Sequence, residues 1–333
     1  EAHRKLERLG NVSGRALAEE DEDEVTQDGE TRDEIEEKYV AHAAARYGER
    51  EKLEEVLKPD QVPGALKDKS GFTPLHFASC YGHSECVSYL LEHQADVHTL
   101  SVHAWTPLHV AARAGRTDCL KLLLNAGASV DARDQYEWTP LHNAACKGDV
   151  GAIAVLLKAG ADIDCKDKDG WTALHFAARF NNVEAVELLI KNGASVTVHD
   201  VDGWTAVHNC ARNGQNRCVQ ALLESKADVF ATNRFGETPL HVAARKGKSK
   251  VVAIMSKIAT KEGCLDRLRK VQDAAGNTAE DVASTTLLRE MLNAEAHHEI
   301  SWYQNVVSDE RAKSATHHTK SSFGKQIGKC AVM

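Results

Sequence analysis

Thr73-Pro74-Leu75-His76 is the first of six near-identical segments that decide the fold of this chain. The same tetrapeptide returns at Thr106, Thr139 and Thr238, and the variants Thr-Ala-Leu-His and Thr-Ala-Val-His begin at Thr172 and Thr205. Successive copies are 33 residues apart. A fixed period of this length indicates stacked copies of one supersecondary unit, each packed only on its neighbours.

Each copy opens a helix-turn-helix pattern. Threonine is a preferred N-cap and proline is favoured at the first helical position, so the tetrapeptide predicts the start of a short helix, for example over residues 139–146. A glycine, or Asn181 in the fourth copy, then breaks the helix. A second helix follows, with apolar residues three and four apart as in residues 119–124. The unit closes with a helix stop that runs into a turn, as in residues 127–130.

This pattern resembles the ankyrin repeat, and the resemblance covers residues 36–294. It implies an all-α repeat solenoid of stacked ankyrin helix-turn-helix units with projecting turns. We expect a degenerate N-terminal cap at 36–67, six full repeats at 68–272 and a closing cap at 273–294. Because Thr238 and Thr278 are 40 residues apart, we expect the additional residues around 259–270 to form a longer outer helix or loop.

The segments on either side of the repeats differ from them in composition. Residues 1–38 hold 6 Lys+Arg against 14 Asp+Glu, which accounts for the whole net charge of −8. We therefore predict a disordered acidic segment at residues 1–35. Residues 295–333 are rich in Ser, His and Lys and are predicted to be a flexible tail. The rest of the chain is electrically balanced, and we expect no direct nucleic-acid partner.

The histidines and cysteines do not form a catalytic or metal-binding pattern. Of 17 histidines, six belong to the repeated tetrapeptide, and the ankyrin resemblance implies that these imidazoles and the nearby Thr hydroxyls tie adjacent units together. The nine cysteines include no Cys-x-x-Cys pair, which fits a reducing cytoplasm or nucleus. Phosphate loops, nucleophile elbows and zinc-protease motifs are missing from the sequence. We expect a protein without enzymatic activity, cofactor or metal.

The sequence contains neither a secretory signal nor an apolar run long enough to span a bilayer. It begins at Glu1 rather than at Met. We therefore keep open the possibility that residues precede it.

The residue before each repeated Thr is aromatic in five successive units. We call this set the aromatic row: Phe72, Trp105, Trp138, Trp171 and Trp204. In ankyrin-like proteins this position lies at the base of the projecting turns and faces the concave groove. Five rings in register span roughly 35–40 Å when stacked helices lie about 8–10 Å apart. The row is either a set of exposed anchors for a partner or a set of rings that pack on neighbouring turns and stiffen the stack, and the two roles are compatible.

Arginine recurs at the fourth residue after the repeated His. We call this set the arginine row: Arg113, Arg179, Arg212 and Arg245. Cys80 and Cys146 occupy the position in the other units. Tryptophan and arginine together can bind aromatic, acidic or phosphorylated groups by stacking and charge-assisted hydrogen bonds. Both rows are therefore predicted to bind a protein partner, although a single arginine at such a position would be an ordinary solvated side chain.

The last four residues, Cys330-Ala331-Val332-Met333, resemble a CaaX prenylation box, and a terminal Met favours farnesyl. The nearby Lys320, Lys325 and Lys329 would add weak attraction to an anionic leaflet. We expect lipidation at Cys330 and peripheral membrane association through it, with reversible anchoring because one lipid chain binds marginally.

Three functions fit this sequence. The first is a monomeric adaptor or scaffold that binds a linear or loop epitope of a protein partner in the concave groove, in the cytoplasm or on the cytoplasmic face of a membrane. The second is a soluble cytosolic or nuclear regulator that masks a transcription factor or a channel segment and is not lipidated. The third is the ankyrin portion of a larger enzyme.

Overall fold

The computed structural model describes residues 40–57 and 66–293, which fold as an all-α repeat solenoid. The expected acidic segment, residues 58–65 of the N-terminal cap, the tail and Cys330 lie outside the described residues. Within these two ranges, seven helix pairs follow one another and two further helices close the stack. The pairs are α1 (Val40–Tyr47) with α2 (Arg50–Val56), α3 (Pro74–Tyr81) with α4 (Ser84–Glu92), α5 (Pro107–Arg113) with α6 (Thr117–Asn125), α7 (Pro140–Lys147) with α8 (Val150–Lys158), α9 (Ala173–Arg179) with α10 (Val183–Lys191), α11 (Ala206–Asn213) with α12 (Asn216–Glu224), and α13 (Pro239–Arg245) with α14 (Ser249–Lys261).

The pairs stack in two layers. The first helix of each pair contacts the first helices of its neighbours, and the second helices contact one another in the same way. Alanines and leucines fill the space between layers, as Leu141, Ala144 and Ala145 of α7 do against Ile153 and Leu156 of α8. The core is therefore continuous from end to end, and each unit depends on its neighbours for much of its burial.

Each repeated threonine is the N-cap of the first helix of its unit, as the sequence predicts. Its partner is the histidine three residues later, whose Nδ1 lies 2.8–2.9 Å from the threonine Oγ1 and accepts the threonine backbone N–H. An acceptor Nδ1 leaves the ring proton on Nε2. This nitrogen lies 2.9–3.2 Å from a backbone carbonyl oxygen of the next unit, so one imidazole both caps its own helix and bonds to the neighbouring turn.

Both ends of the stack modify this pattern. In the degenerate first unit, His42 Nε2 still reaches the carbonyl oxygen of Phe72 at 3.2 Å. At the other end, Asp281 takes the place of the histidine and accepts hydrogen bonds from the Thr278 N–H and hydroxyl at 2.8 and 2.7 Å. A carboxylate has no proton to donate onward, so the capping role is kept while the link to a further unit is lost.

The unit that begins at Thr238 is longer than the others. Its second helix, α14, has 13 residues where the second helices of the five preceding full repeats have nine, and the short helix α15 (Leu265–Arg269) follows it. His241 nevertheless bonds to the carbonyl oxygen of Asn277 at 3.1 Å, 36 residues away. The additional residues are thus accommodated in the second-helix layer, and α16 (Thr286–Asn293) closes the core.

The projecting turns are linked to one another through their backbones. Within a turn, an aspartate such as Asp134 accepts the backbone N–H groups of the residues two and four positions later, at 2.8 and 2.9 Å. Between turns, the N–H of Gln135 donates to the carbonyl oxygen of His103 at 3.2 Å, and equivalent bonds join the other neighbouring pairs. Glycine with positive φ occupies the fourth turn position in most units, but Ala104 and Glu137 adopt φ values of 60° and 64° there.

We predict that acid destabilises the fold through the repeated histidines. Burial lowers the pKa of five of them to about 4, from 6.5: His76, His109, His142, His175 and His208. Between pH 6.5 and 4 the unfolded chain therefore binds more protons than the folded one, and the free energy of unfolding falls as the pH falls.

The buried carboxyls act in the opposite direction but are fewer. Burial raises the pKa of Asp167 to about 6 and also raises those of Asp134 and Asp200, so their protonation favours the folded state. We expect urea unfolding to give a lower free energy of unfolding at pH 5 than at pH 7. Each histidine should contribute about 1–2 kcal/mol to this decrease. A midpoint that stays constant or rises between pH 7 and pH 5 would contradict this assignment.

Candidate partner-binding surface

The structure divides the aromatic row by burial. Trp105 and Trp138 retain only 9% and 8% of their exposed area, whereas Phe72, Trp171 and Trp204 are half-buried. Trp105 and Trp138 are therefore too buried to serve as exposed anchors, the first of the two roles that the sequence allowed. Their burial supports the alternative role, in which the rings pack on neighbouring turns.

Phe176 contributes to the burial of Trp138. Its ring is fully buried on α9, with its centroid 4.3 Å from that of Trp138 and 5.2 Å from that of Trp171. The side chain at this helix position differs from unit to unit, being Asn143 in the unit before and Asn209 in the unit after. Trp138 and Trp171 therefore share Phe176 as a large apolar neighbour, and Phe72 has an equivalent one in Phe77, whose ring centroid is 6.0 Å away.

Aspartates of the projecting turns also fix the row, and sequence reasoning gave them no role. The Trp105 indole Nε1 donates to Asp134 Oδ2 at 3.0 Å, and Trp171 Nε1 donates to Asp200 Oδ2 at the same distance. The other oxygen of each aspartate accepts the backbone N–H of the tryptophan in its own unit. One carboxylate thus joins two consecutive tryptophans. The recurrence of Asp four residues before Trp was the sequence signal for this contact.

The arginine row lies against the aromatic row. Cζ of Arg179 is 5.8 Å from the centroid of the Trp171 ring, and Cζ of Arg212 is 5.6 Å from that of Trp204. In both units the arginine follows its tryptophan by eight residues, or about two helical turns. These two pairs place a cation and an aromatic ring together in adjacent units, in the geometry of a cation–π contact.

The remaining two arginines have other contacts. Arg113 Nη1 donates a weak hydrogen bond to the Cys146 thiol of the next unit at 3.8 Å. Arg245 forms an ion pair at 2.7 Å with the buried Glu237, which stands where the other units have the aromatic residue. Among the described residues, contacts between the two rows therefore occur in the units that begin at Thr172 and Thr205.

A metal-binding cluster of His, Cys, Asp and Glu does not occur among the residues that the structure describes. The eight described cysteines are free thiols. No helix within residues 40–57 and 66–293 is long and apolar enough to cross a bilayer.

Comparison with known proteins identifies the repeat. The family model for ankyrin repeats, in three copies, matches six overlapping segments at residues 17–101, 41–134, 99–167, 141–233, 193–265 and 210–294. The chain belongs to the ankyrin repeat family. A search of curated proteins found no match.

Two solved ankyrin repeat domains show the same fold. The human ASB11 domain is 26% identical with a TM-score of 0.60, and the alignment covers 68% of this chain and 99% of that one. The domain of Bcl-3, described as a unique member of the IkappaB protein family, is 26% identical with a TM-score of 0.59, covering 68% of this chain and 100% of the other. These similarities support the coarse role of an ankyrin repeat protein as a protein-interaction module. Partner binding at the two rows stays a prediction.

We predict that tryptophan-to-phenylalanine substitutions separate the structural members of the aromatic row from the others. Trp105→Phe keeps an aromatic ring but leaves the Asp134 oxygen without its indole donor, at a cost of about 1–3 kcal/mol. Trp204→Phe is the matched control, because within the described residues its indole N–H has no hydrogen bond and the next turn carries Asn233 in place of aspartate.

Urea unfolding of both variants measures the difference. Trp105→Phe should lower the midpoint clearly and Trp204→Phe only slightly. Equal losses in the two variants would show that the indole–aspartate bond does not stabilise the stack. Trp138 is buried against Phe176, so replacement of Trp138 by Ala should also lower the midpoint.

Proposed function

We propose that this protein is a non-enzymatic, monomeric adaptor or scaffold that binds a linear or loop epitope of a protein partner in the concave groove of its ankyrin units. Membership of the ankyrin repeat family supports the general role. The observation that carries the finer proposal is the pairing of Trp171 with Arg179 and of Trp204 with Arg212, all four half-buried. Such pairs offer aromatic area and directional N–H donors together.

The length of the two rows favours an extended epitope. Units stacked about 8–10 Å apart place the ends of the aromatic row roughly 35–40 Å apart. An extended peptide needs about 11 residues to cover that distance at ~3.3–3.6 Å per residue. We therefore expect most of the specificity to come from the half-buried members, Phe72, Trp171 and Trp204, together with the arginine row, while Trp105 and Trp138 support the surface from below.

Charge reversal in the arginine row tests this function. The double substitution Arg113→Glu and Arg212→Glu should greatly reduce the recovery of protein partners in affinity capture from cell extract followed by mass spectrometry. The matched control is Lys121→Glu with Lys191→Glu, which makes the same change in charge on the exposed faces of α6 and α10. Both variants should keep the wild-type circular dichroism spectrum. Identical capture by the two folded variants would contradict binding at the arginine row.

We further propose that Cys330 is farnesylated and holds the adaptor at the cytoplasmic face of a membrane. The support is the terminal Cys-Ala-Val-Met sequence and the three lysines that precede it. Intact-mass measurement of the protein from cells should show a farnesyl addition, and Cys330→Ser should abolish the addition and shift the protein to the soluble fraction. An unmodified mass, with no shift in Cys330→Ser, would favour the soluble cytosolic or nuclear regulator instead.

A further inference from the structure

The sixth unit shows how an arginine of the row binds a carboxylate. Glu237 replaces the aromatic residue of the other units and is buried, and its Oε1 lies 2.7 Å from Arg245 Nη2. The other oxygen, Oε2, accepts hydrogen bonds from Asn233 Nδ2 at 3.0 Å and from Arg245 at 2.8 Å. One guanidinium nitrogen, Nη2, thus contacts both carboxylate oxygens, in a charge-assisted pair that Asn233 completes.

Of the other units, the second, fourth and fifth keep the arginine, and an aromatic residue stands at the Glu237 position in each of them. In the fourth and fifth units the ring of Trp171 or Trp204 stands at the Glu237 position and supports one face of the guanidinium. Within the described part of the chain, neither Arg113 nor Arg212 forms an ion pair. Arg113 donates only to the Cys146 thiol, a weak acceptor that a carboxylate would readily replace.

The geometry points to a specific class of partner, and this inference rests on the proposed function: we propose that the arginine row binds an acidic peptide segment in a polyproline II conformation, with a carboxylate at every third residue. The polyproline II helix has three residues per turn and a rise of 3.1 Å, so residues i and i+3 lie on one face about 9 Å apart. Stacked units repeat at about 8–10 Å. A carboxylate on each turn of the peptide therefore comes to lie at the arginine-row position of each successive unit.

The gaps in the arginine row define the register. Arg179 and Arg212 lie in adjacent units and therefore bind carboxylates that are three residues apart in the peptide. Cys146 interrupts the row between Arg113 and Arg179. In the sixth unit, Arg245 already forms an ion pair with Glu237. A matching peptide therefore places three of its acids on Arg113, Arg179 and Arg212. The acid between the first two faces Cys146 and has no arginine.

Two synthetic peptides of equal charge and composition test the spacing. The first is fluorescein-labelled (Glu-Pro-Pro)4, and the second carries the same four Glu in one block followed by eight Pro. Fluorescence anisotropy with the full chain in low salt should show at least tenfold tighter binding of the spaced peptide. Equal affinity for the two peptides would overturn the proposal, since it would mean that only net charge is recognised.

Two variants test whether the arginine row carries this preference. Arg212→Ala should weaken binding of the spaced peptide by about three- to tenfold. Glu237→Gln removes the internal competitor while keeping an acceptor for Asn233, so it should tighten binding of (Glu-Pro-Pro)5 by about threefold, because Arg245 becomes available. Lys191→Ala on α10 is the control and should change neither affinity.

The outcomes keep this inference separate from the proposed function. If charge reversal at Arg113 and Arg212 abolishes partner capture but the full chain does not distinguish the spaced from the blocked peptide, the proposed function stands and the acidic polyproline II ligand is wrong. If the spaced peptide is preferred but Arg212→Ala and Glu237→Gln leave its affinity unchanged, the ligand lies elsewhere and the assignment to the arginine row is overturned.

Discussion

The hydrogen bond from each repeated histidine to a carbonyl oxygen of the next unit is the interaction on which the rest of this structure depends. A single unit has two short helices and cannot bury its apolar residues alone. The imidazole fixes the start of its own helix through the threonine cap and fixes the neighbouring turn through Nε2. Both roles require a neutral ring with its proton on Nε2, and burial of the imidazole favours the neutral form because the charged form loses its hydration.

Once these bonds set the spacing of the units, the aromatic and arginine rows follow from it. A tryptophan indole reaches the aspartate of the next turn because that turn is already held in register by the histidine. The aspartate in turn holds the backbone of its own tryptophan. The same residues therefore stabilise the turns and shape the surface proposed to bind a partner. The half-buried end of the row, at Trp171 and Trp204, can offer ring area that the buried Trp105 and Trp138 cannot.

The sequence predicted the features that depend on local chemistry and on the period. The threonine caps, the proline at the first helical position and the helix break at Asn181 were all confirmed. The link made by the histidines between units also has the form that the ankyrin resemblance implied. Each of these follows from residues within one unit and from the repetition of that unit.

The burial of individual tryptophans could not be predicted in the same way, because it depends on side chains of the adjacent units. Trp138 is buried by Phe176, 38 positions away, whereas the equivalent neighbours elsewhere are asparagine, valine or phenylalanine in no regular order. The ion pair between Arg245 and Glu237 was missed for a related reason. Arg245 recurs at the same position as the other arginines, but in its unit Glu237 replaces the aromatic residue.

The protonation state of the repeated histidines tests the central claim most directly. Long-range proton–nitrogen correlation spectra, recorded from pH 7.5 to 5.0, report which ring nitrogen carries the proton and whether the ring titrates. We predict that His76, His109, His142, His175 and His208 stay neutral with the proton on Nε2 throughout this range, because burial lowers their pKa values to about 4. Titration of these rings near pH 6.5, or a proton on Nδ1, would contradict the account.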